Sequence, residues 1–252
     1  MSPPENFVAK RLAAHALQKL IKGPLEQNVN GFTIYRRPGS LICSTVLDPE
    51  LTAFLEPYIT RSESGAVVLW DRPSGYLILP PIPIQLDFTF DRWELTPLKE
   101  MMGKQATIGV ILIRLGRYAI GVYRGQTLIE SKTDTRYVHG RNRAGGSSQR
   151  RFERRREKQI HELFEKVCEM VRRHLTPYNE TLEHIFLGGE AHTIRSFLKH
   201  CRALDHFKTR IRRRVLSIRS PNQRSLDEMT TELWGGQVYA ISEEPSSQQS
   251  SS

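Results

Sequence analysis

The sequence predicts an α/β (α+β) protein in which a mixed sheet with flanking helices follows a smaller α+β region. The 252 residues are 38% hydrophobic and 25% charged, which is enough apolar material for a buried core. Three apolar or alternating runs lie between residues 108 and 131, and glycine-containing turns separate them. From residue 151 to residue 241, helical and strand patterns alternate. The chain is therefore expected to form one large domain or two small ones.

The first part of the chain begins with a predicted helix. Residues 6–22 combine good helix formers with spaced apolar side chains, and Gly23-Pro24 ends the pattern. The next two segments, Phe32–Arg36 and Leu41–Leu47, flank the turn sequence Arg37-Pro38-Gly39-Ser40. This arrangement predicts a β-hairpin.

A short helix is predicted over Pro49–Tyr58, before two strands at Ala66–Trp70 and Tyr76–Leu79. The proline-rich stretch at 80–83 cannot occupy a central strand, because proline lacks the N–H that a sheet requires. Residues 80–105 are therefore predicted to be an extended connector. The predicted domains are a first region at 1–105, a second region at 106–242 and a disordered Ser/Gln-rich tail at 243–252.

The second region is more regular. Its predicted meander is followed by a loop from about Tyr137 to Gln149 and by a long helix from about Arg151 to Leu175. The remaining predicted elements, in chain order, are strand Leu182–Leu187, helix Ala191–Leu204, strand Val215–Ile218, helix Ser225–Leu233 and strand Gln237–Ile241. Three strands followed by alternating helices and strands are typical of a ribonuclease-H-like domain.

Positive charge is concentrated in two segments. The formal net charge is +10, yet residues 136–158 alone contain nine basic and two acidic residues. Residues 195–219 contain nine basic residues and one acidic residue, so the rest of the chain is mildly acidic. Arginine-rich clusters of one sign favour a polyanion, most often a nucleic acid, over the ordinary solvated helix face.

Several classes of protein are excluded or disfavoured. No apolar run approaches the roughly 18–20 residues of a membrane span, and neither basic segment carries the apolar anchors of an interfacial helix, so no membrane partner is predicted. The N-terminus lacks the apolar stretch of a signal peptide, which predicts a cytoplasmic protein. Cys43, Cys168 and Cys201 form no CxxC pair and are interpreted as small buried hydrophobes, without a disulfide or zinc site.

The most unusual segment is the predicted loop and the start of the following helix. Paired glycines, Gly145 and Gly146, permit close approach of the backbone to a ligand, and loop N–H groups can donate to an oxyanion or a phosphate. Asn142, Ser147, Ser148 and Gln149 are the uncharged polar residues that can orient a water molecule there. An isolated Gly-Gly-Ser-Ser is more often a flexible linker, but arginines on both sides and the position before a long helix favour a functional loop.

This segment resembles the bacterial branch of the Vms1-like release-factor (VLRF1) family. The motif is Gly145-Gly146-Ser147-Ser148-Gln149 followed by an arginine-rich helix start, and the resemblance covers roughly residues 106–242. The family consists of peptidyl-tRNA hydrolases of ribosome quality control, related to the catalytic middle domain of eukaryotic and archaeal class I release factors. Two serines separate the glycines from Gln149, whereas release factors have Gly-Gly-Gln.

The chain is expected to act as a monomer without a cofactor or a metal. The resemblance implies hydrolysis of the ester between a nascent peptide and tRNA on the large ribosomal subunit. It assigns water positioning to Gln149, with its own N–H as an oxyanion donor, and loop flexibility to the two glycines. Contacts with rRNA or tRNA phosphate are assigned to the basic residues around them: Arg141, Arg143, Arg150, Arg151, Arg154, Arg155, Arg156 and Lys158.

Alternatives remain open. The same loop could cleave the tRNA 3′ end, or the chain could be a non-catalytic ribosome or RNA-binding adaptor in which Gln149 is incidental. A metal-dependent nuclease needs clustered carboxylates, and Glu130 and Asp134 are too few. His192 and His200 lie eight residues apart, which does not match the HExxH spacing of a zinc enzyme, and no GxSxG elbow is present. Gly188-Gly189-Glu190 could bind phosphate, but a simple strand-to-helix turn is favoured.

Overall fold

The structure, a computed structural model, describes residues 6–26, 30–42, 46–138 and 147–242. The chain divides into two compact units. Unit 1 comprises Met1–Lys104 together with Thr231–Ser252, and unit 2 comprises Gln105–Thr230. The predicted assignment of the last strand to the second region is therefore wrong, since that strand belongs to unit 1. In the described part of the chain, no helix has both the length and the apolarity to cross a membrane.

The secondary-structure elements alternate along the chain. Those before residue 105 are β1 (Asn6–Leu12), α1 (Ala14–Ile21), β2 (Phe32–Arg36), α2 (Pro49–Arg61), β3 (Ala66–Asp71), β4 (Ser74–Leu79), β5 (Phe88–Phe90) and α3 (Thr96–Gly103). Those after it are β6 (Thr107–Arg114), β7 (Arg117–Arg124), β8 (Thr127–Thr135), α4 (Ser147–Leu175), β9 (Leu182–Gly189), α5 (Ala191–His200), β10 (Ile211–Leu216), α6 (Gln223–Asp227), α7 (Met229–Leu233) and β11 (Gly236–Ser242). Among the described residues there are also two 3₁₀ helices, Thr176–Tyr178 and Arg202–Arg210.

Unit 1 is built on a six-stranded antiparallel sheet with the order β1-β11-β4-β3-β2-β5. Side chains of β3 alternate between two cores because successive residues of a strand point to opposite faces. Val67 and Leu69 pack with α1 and α3 on one face, and Val68 and Trp70 pack with α2 on the other. Both faces of this sheet are therefore covered by helices.

The prediction of one helix over residues 6–22 is wrong for its first half. Asn6–Leu12 is β1, paired along its whole length with β11, and the helix begins only at Ala14. Phe7 stacks on Tyr239 of β11 with ring centroids 4.7 Å apart. A partner more than 220 residues away leaves no local signal, so the helix-forming residues of this segment are overruled by tertiary pairing.

The predicted hairpin is also wrong. β2 forms as expected, but it pairs with β3 and β5, and no strand follows it among the described residues between 37 and 47. Asp87 holds the turn instead: its carboxylate accepts from the Arg37 backbone N–H at 2.7 Å and from the Ser40 hydroxyl at 3.2 Å. The predicted connector at 80–105 supplies this carboxylate and contains β5 and α3, so it is part of the fold. The α2, β3 and β4 predictions are confirmed.

Unit 2 has a five-stranded mixed sheet with the order β10-β9-β6-β7-β8. β6, β7 and β8 form the predicted antiparallel meander, while β9 lies parallel to β6 and β10 parallel to β9. This is the predicted ribonuclease-H-like order. The apolar stripe of α4, which includes Leu163, Val167 and Val171, packs on the sheet, as the spacing of these residues predicts. The predicted helix Ala191–Leu204 is shorter, because α5 ends at His200 and a 3₁₀ helix follows.

Gly189 ends β9 at a close approach between two strands. Its φ of +134° is unfavourable for other residues, and a Cβ added there would lie 2.1 Å from the carbonyl oxygen of Ile113 on β6. This close approach favours the structural interpretation of Gly188-Gly189-Glu190 as a turn.

Replacing Gly189 with alanine is expected to lower the free energy of unfolding by at least about 2 kcal/mol, since backbone strain and a steric overlap add together. Gly116→Ala is the matched control: Gly116 also has positive φ, at +100°, but its Cβ would lie 3.4 Å from the nearest atom. Urea denaturation measures the loss of stability in both variants. The loss in Gly116→Ala reports the backbone strain, and the additional loss in Gly189→Ala reports the steric overlap. Equal losses would show that the overlap at Gly189 relaxes at no cost.

The prediction of unpaired cysteines is wrong for two of the three. Cys168 of α4 and Cys201, which follows α5, form a disulfide with their Cα atoms 5.2 Å apart. Their separation of 33 residues carries no signal in the sequence, because it is the packing of α4 on the end of α5 that brings them together. Cys43 lies outside the described residues.

Protein purified without reductant is expected to show one free thiol after denaturation and three after reduction. Reduction should destabilise unit 2 by roughly 3–4 kcal/mol, the entropic value for a closed loop of this length. Thiol titration together with urea midpoints in the presence and absence of reductant measures both effects. Reductant should leave the midpoint of Cys168→Ser unchanged, and three thiols in the unreduced protein would contradict the disulfide.

Candidate active site and nucleic-acid interface

Gln149 lies in the first turn of α4, which begins at Ser147 rather than at the predicted Arg151. The predicted loop therefore ends earlier than expected. Serine is favoured at helix starts, and the arginines, glutamates and lysine that follow are strong helix formers, so the helix extends back to the serines. The first backbone N–H groups of a helix have no carbonyl partner within the helix and carry the positive end of its dipole. The backbone of Gln149 is thus placed in the part of the helix best suited to meet an anion.

The first three turns of α4 extend beyond the core of unit 2. Side chains from Arg150 to Lys158 are exposed, apart from a half-buried Arg156, and from Gln149 onward the first fully buried side chain is Leu163. We call residues 147–159 the α4 arm. At a rise of 1.5 Å per residue, this arm is about 18–20 Å long. An exposed helical segment of this length can enter a confined site.

The Gln149 side chain is oriented by a neighbour one turn along the arm. Its amide Nε2 donates to the Glu153 carboxylate Oε1 at 3.0 Å. Because this bond uses the amide nitrogen, the carbonyl oxygen Oε1 is the atom that remains to accept a hydrogen bond from water. Glu153 therefore fixes which end of the amide is presented.

The arm carries a charge distribution that is unfavourable in isolation. Arg150 and Arg151 lie nearest the helix N-terminus, where a positive side chain opposes the helix dipole by at most about 0.3–1 kcal/mol at low salt. No acidic residue lies in the first turn, and two acidic residues, Glu153 and Glu157, offset six basic ones: Arg150, Arg151, Arg154, Arg155, Arg156 and Lys158. A polyanion alongside the arm would relieve this repulsion, and exposed guanidinium groups suit phosphate. The six predicted phosphate-binding residues of this helix thus lie together on one exposed segment.

The other predicted site residues are only partly placed. Arg141, Arg143, Gly145 and Gly146 lie outside the described residues. Ser147 and Ser148 are placed as the first residues of α4.

The second basic segment, residues 195–219, is distributed over α5, a 3₁₀ helix and β10. Several of its arginines have contacts inside unit 2. The guanidinium of Arg214 lies 5.8 Å from the centre of the Phe186 ring, and that of Arg210 lies 5.7 Å from the Phe207 ring. Arg210 also donates to the backbone carbonyl of Asn179. These contacts give part of the segment a packing role, in contrast to the α4 arm.

The carboxylates weighed for a nuclease site are bound to neighbours in the fold. Both lie on β8, where Glu130 accepts from the Tyr178 hydroxyl at 2.8 Å and Asp134 from the Tyr118 hydroxyl at 3.4 Å. Burial, followed by the nearby Asp134 carboxylate, raises the pKa of Tyr118 to about 12. Glu130 also contacts His174. The two carboxylates are thus engaged in packing contacts, which disfavours a two-metal nuclease.

Residues 106–238 match the family model described as Actinobacteria/chloroflexi VLRF1 release factor, and this range is just over half of the chain. The chain belongs to the VLRF1 release-factor family. The matched range of this VLRF1 chain contains all of α4, including the arm, and the whole sheet of unit 2. The resemblance drawn from the glycine–glutamine motif is confirmed at the level of the family.

Curated relatives of this VLRF1 chain include archaeal release factors. Peptide chain release factor subunit 1 of Archaeoglobus fulgidus is 36% identical over 117 residues, which is 46% of this chain and 29% of that protein. The Thermococcus sibiricus protein of the same description is 30% identical over 218 residues, which is 85% of this chain and 48% of that protein. The VLRF1 chain thus spans half or less of these relatives. An alignment of 218 residues necessarily reaches into residues 1–104, for which the sequence offers no motif.

Solved structures similar to this VLRF1 chain include an archaeal translation termination factor, aRF1, with a TM-score of 0.40, 17% identity and coverage of 88% of this chain and 73% of the other. A structure described as the Vms1 mitochondrial localization core has a TM-score of 0.42 and 14% identity. It covers 77% of this chain and 84% of the other.

One cluster in the VLRF1 chain was not predicted from the sequence. From the sequence, His200 was considered as a metal ligand only together with His192 on the same helix. In the structure, His200 lies next to His161 and Glu165 of α4. The i,i+4 spacing of His161 and Glu165 is the signal that the sequence offers. Its partner on α5 becomes visible only when the two helices pack.

Proposed function

We propose that this chain hydrolyses the ester bond between a nascent peptide and tRNA on the large ribosomal subunit, as a peptidyl-tRNA hydrolase of ribosome quality control. The observation that carries the proposal is the position of Gln149 near the end of an exposed, arginine-rich helical arm inside the segment that matches the release-factor family. A glutamine near the end of a basic projection is suited to a reaction inside an RNA-walled cavity.

The proposed chemistry needs few groups. An aminoacyl ester is already activated, so the main requirements are a positioned water molecule and stabilisation of the tetrahedral oxyanion. Water attacks the carbonyl carbon, the ester C–O bond breaks, and the products are a free peptide carboxylate and a tRNA with a free terminal ribose hydroxyl. The Oε1 of Gln149, oriented through Glu153, would accept a hydrogen bond from the attacking water. The N–H of Gln149, in the first turn of α4, would donate to the oxyanion.

The basic residues of the arm would hold rRNA and tRNA phosphates on either side of the reacting ester. Arginine forms charge-assisted, often bidentate bonds to phosphate, so several of them fix direction as well as affinity. The arm would thereby deliver Gln149 in a defined orientation. Arg141, Arg143, Gly145 and Gly146 are proposed to act with it, the arginines on phosphate and the glycines by allowing the loop into a narrow space.

The decisive experiment incubates the purified chain with large subunits that carry a labelled peptidyl-tRNA, and then resolves free peptide, intact tRNA and shortened tRNA. Release of peptide with full-length tRNA supports ester hydrolysis. Shortened tRNA would instead indicate cleavage at the tRNA 3′ end. Binding with neither product would indicate a non-catalytic adaptor and overturn the proposal.

A further inference from the structure

His161, Glu165 and His200 bring three metal-ligating atoms together at the junction of two helices. His161 and Glu165 lie one turn apart on α4, with His161 Nε2 3.1 Å from Glu165 Oε1. His200 is the last residue of α5, and its ring meets that of His161 edge to face with centroids 4.5 Å apart. One ligand atom from each of the three residues lies within 4.8 Å of those of the other two.

We propose that these three residues form a binding site for a divalent transition metal, with Zn²⁺ as the representative ion. Two imidazole nitrogens and one carboxylate oxygen are a known zinc ligand set, in which the fourth position is left to water. Tetrahedral coordination at about 2.0–2.1 Å puts ligand atoms about 3.3 Å apart. The His161–Glu165 distance of 3.1 Å is close to this value, and the ligand atom of His200 lies within 4.8 Å of both. The exposed side chains of His161 and Glu165 leave room for that adjustment.

The surroundings hold this geometry in place. The Cys168–Cys201 disulfide joins the same two helices, three residues beyond Glu165 on α4 and directly after His200. Phe164 packs against Phe197 between them, with ring centroids 5.7 Å apart. A site whose supporting helices are already fixed has a smaller ordering cost on binding.

An ordinary helix-surface pair does not explain the full arrangement. His161 and Glu165 alone form an exposed i,i+4 pair, and exposed pairs of this kind contribute little to stability. The third group comes from another helix and is also an imidazole. A shared cation satisfies all three groups. Because His161 lies where the α4 arm meets the body of unit 2, the bound metal would clamp the base of the arm to α5.

The test is calorimetric titration of Zn²⁺ into the full-length, tag-free, chelator-treated protein. One equivalent is expected to bind. Co²⁺ bound at the same site should show the visible absorption that is typical of a Co²⁺ ion with a low coordination number. His161→Ala, His200→Ala and Glu165→Gln should each weaken Zn²⁺ binding by at least about tenfold. The matched controls are His192→Ala, on the same helix as His200, and Glu162→Gln, on the same helix as Glu165; both should leave the affinity unchanged.

Absence of one-equivalent binding to the folded protein would overturn the proposal. Equal losses in the cluster variants and their controls would also overturn it, since they would assign the ion to histidines and carboxylates in general. Circular dichroism verifies that each variant is folded. Hydrogen exchange provides a second readout: Zn²⁺ should slow the exchange of amides around residues 158–166 in the wild type and not in His200→Ala.

Discussion

Replacing Gln149 with alanine is expected to lower the rate of peptide release from large-subunit peptidyl-tRNA complexes by about 100-fold or more, while binding to those complexes stays within about twofold. The magnitude follows from the loss of a positioned water and of a preorganised polar group near the developing oxyanion, which costs about 2.7–4 kcal/mol in comparable sites. Binding should persist because the arginines of the α4 arm are untouched. Single-turnover release kinetics and a separate co-sedimentation assay measure the two quantities.

Two further variants make this result specific. Gln159→Ala changes the same residue type on the same helix, at the base of the arm, and should leave the release rate within about twofold of wild type. Glu153→Ala should slow release by roughly tenfold without weakening binding, because the amide of Gln149 loses the partner that orients it. Gln149→Ala releasing peptide as fast as wild type would remove Gln149 from the mechanism. If Gln149→Ala releases peptide slowly and Glu153→Ala releases it as fast as wild type, the catalytic role of Gln149 stands and its orientation by Glu153 is wrong.

The two units differ in how far their folds follow from local sequence. In unit 2, each strand of the meander pairs with its neighbour in the chain, so turns such as Gly116 and the period of α4 specify the sheet. In unit 1, β1 pairs with β11, and β2 pairs with β3 and β5 rather than with the segment that follows it. Local patterns describe which residues are apolar, but they carry no information about partners far along the chain.

In the candidate site, too, some features follow from local sequence and others depend on partners far along the chain. The candidate residues at 147–158 could be picked out from the sequence because the serines, the glutamine and the arginines are contiguous, although the helix was expected to begin only at Arg151. The orientation of Gln149 by Glu153 was not predicted, since the helix was expected to begin after Gln149. The disulfide and the His161–Glu165–His200 cluster join α4 to the end of α5, and both depend on how the two helices pack. Functional residues that are adjacent in the chain can be recognised from the sequence, whereas a cluster formed by residues of two helices requires the structure.

Charge reversal of the arm, by the combined changes Arg154→Glu, Arg155→Glu and Arg156→Glu, is expected to weaken binding to the large subunit about 1,000-fold at moderate salt. Removing the phosphate contacts of three arginines should also reduce the slope of log affinity against log salt by about two to three, since each contact contributes about 0.7–0.9. Co-sedimentation at several salt concentrations measures both. The helix itself should survive, because glutamate is a strong helix former.

The matched control is Arg172→Glu with Arg173→Glu, which reverses two exposed arginines at the opposite end of α4. If affinity depends on net charge alone, this pair should cost about two thirds of the binding free energy lost by the triple variant. If the arm enters an RNA-lined site, the pair should cost little, because its arginines lie about 25 Å from the arginines of the arm along the helix axis. Release measured at saturating concentration then separates positioning from affinity. Because the arginines hold the arm that presents Gln149, the triple variant should remain slow even when it is fully bound.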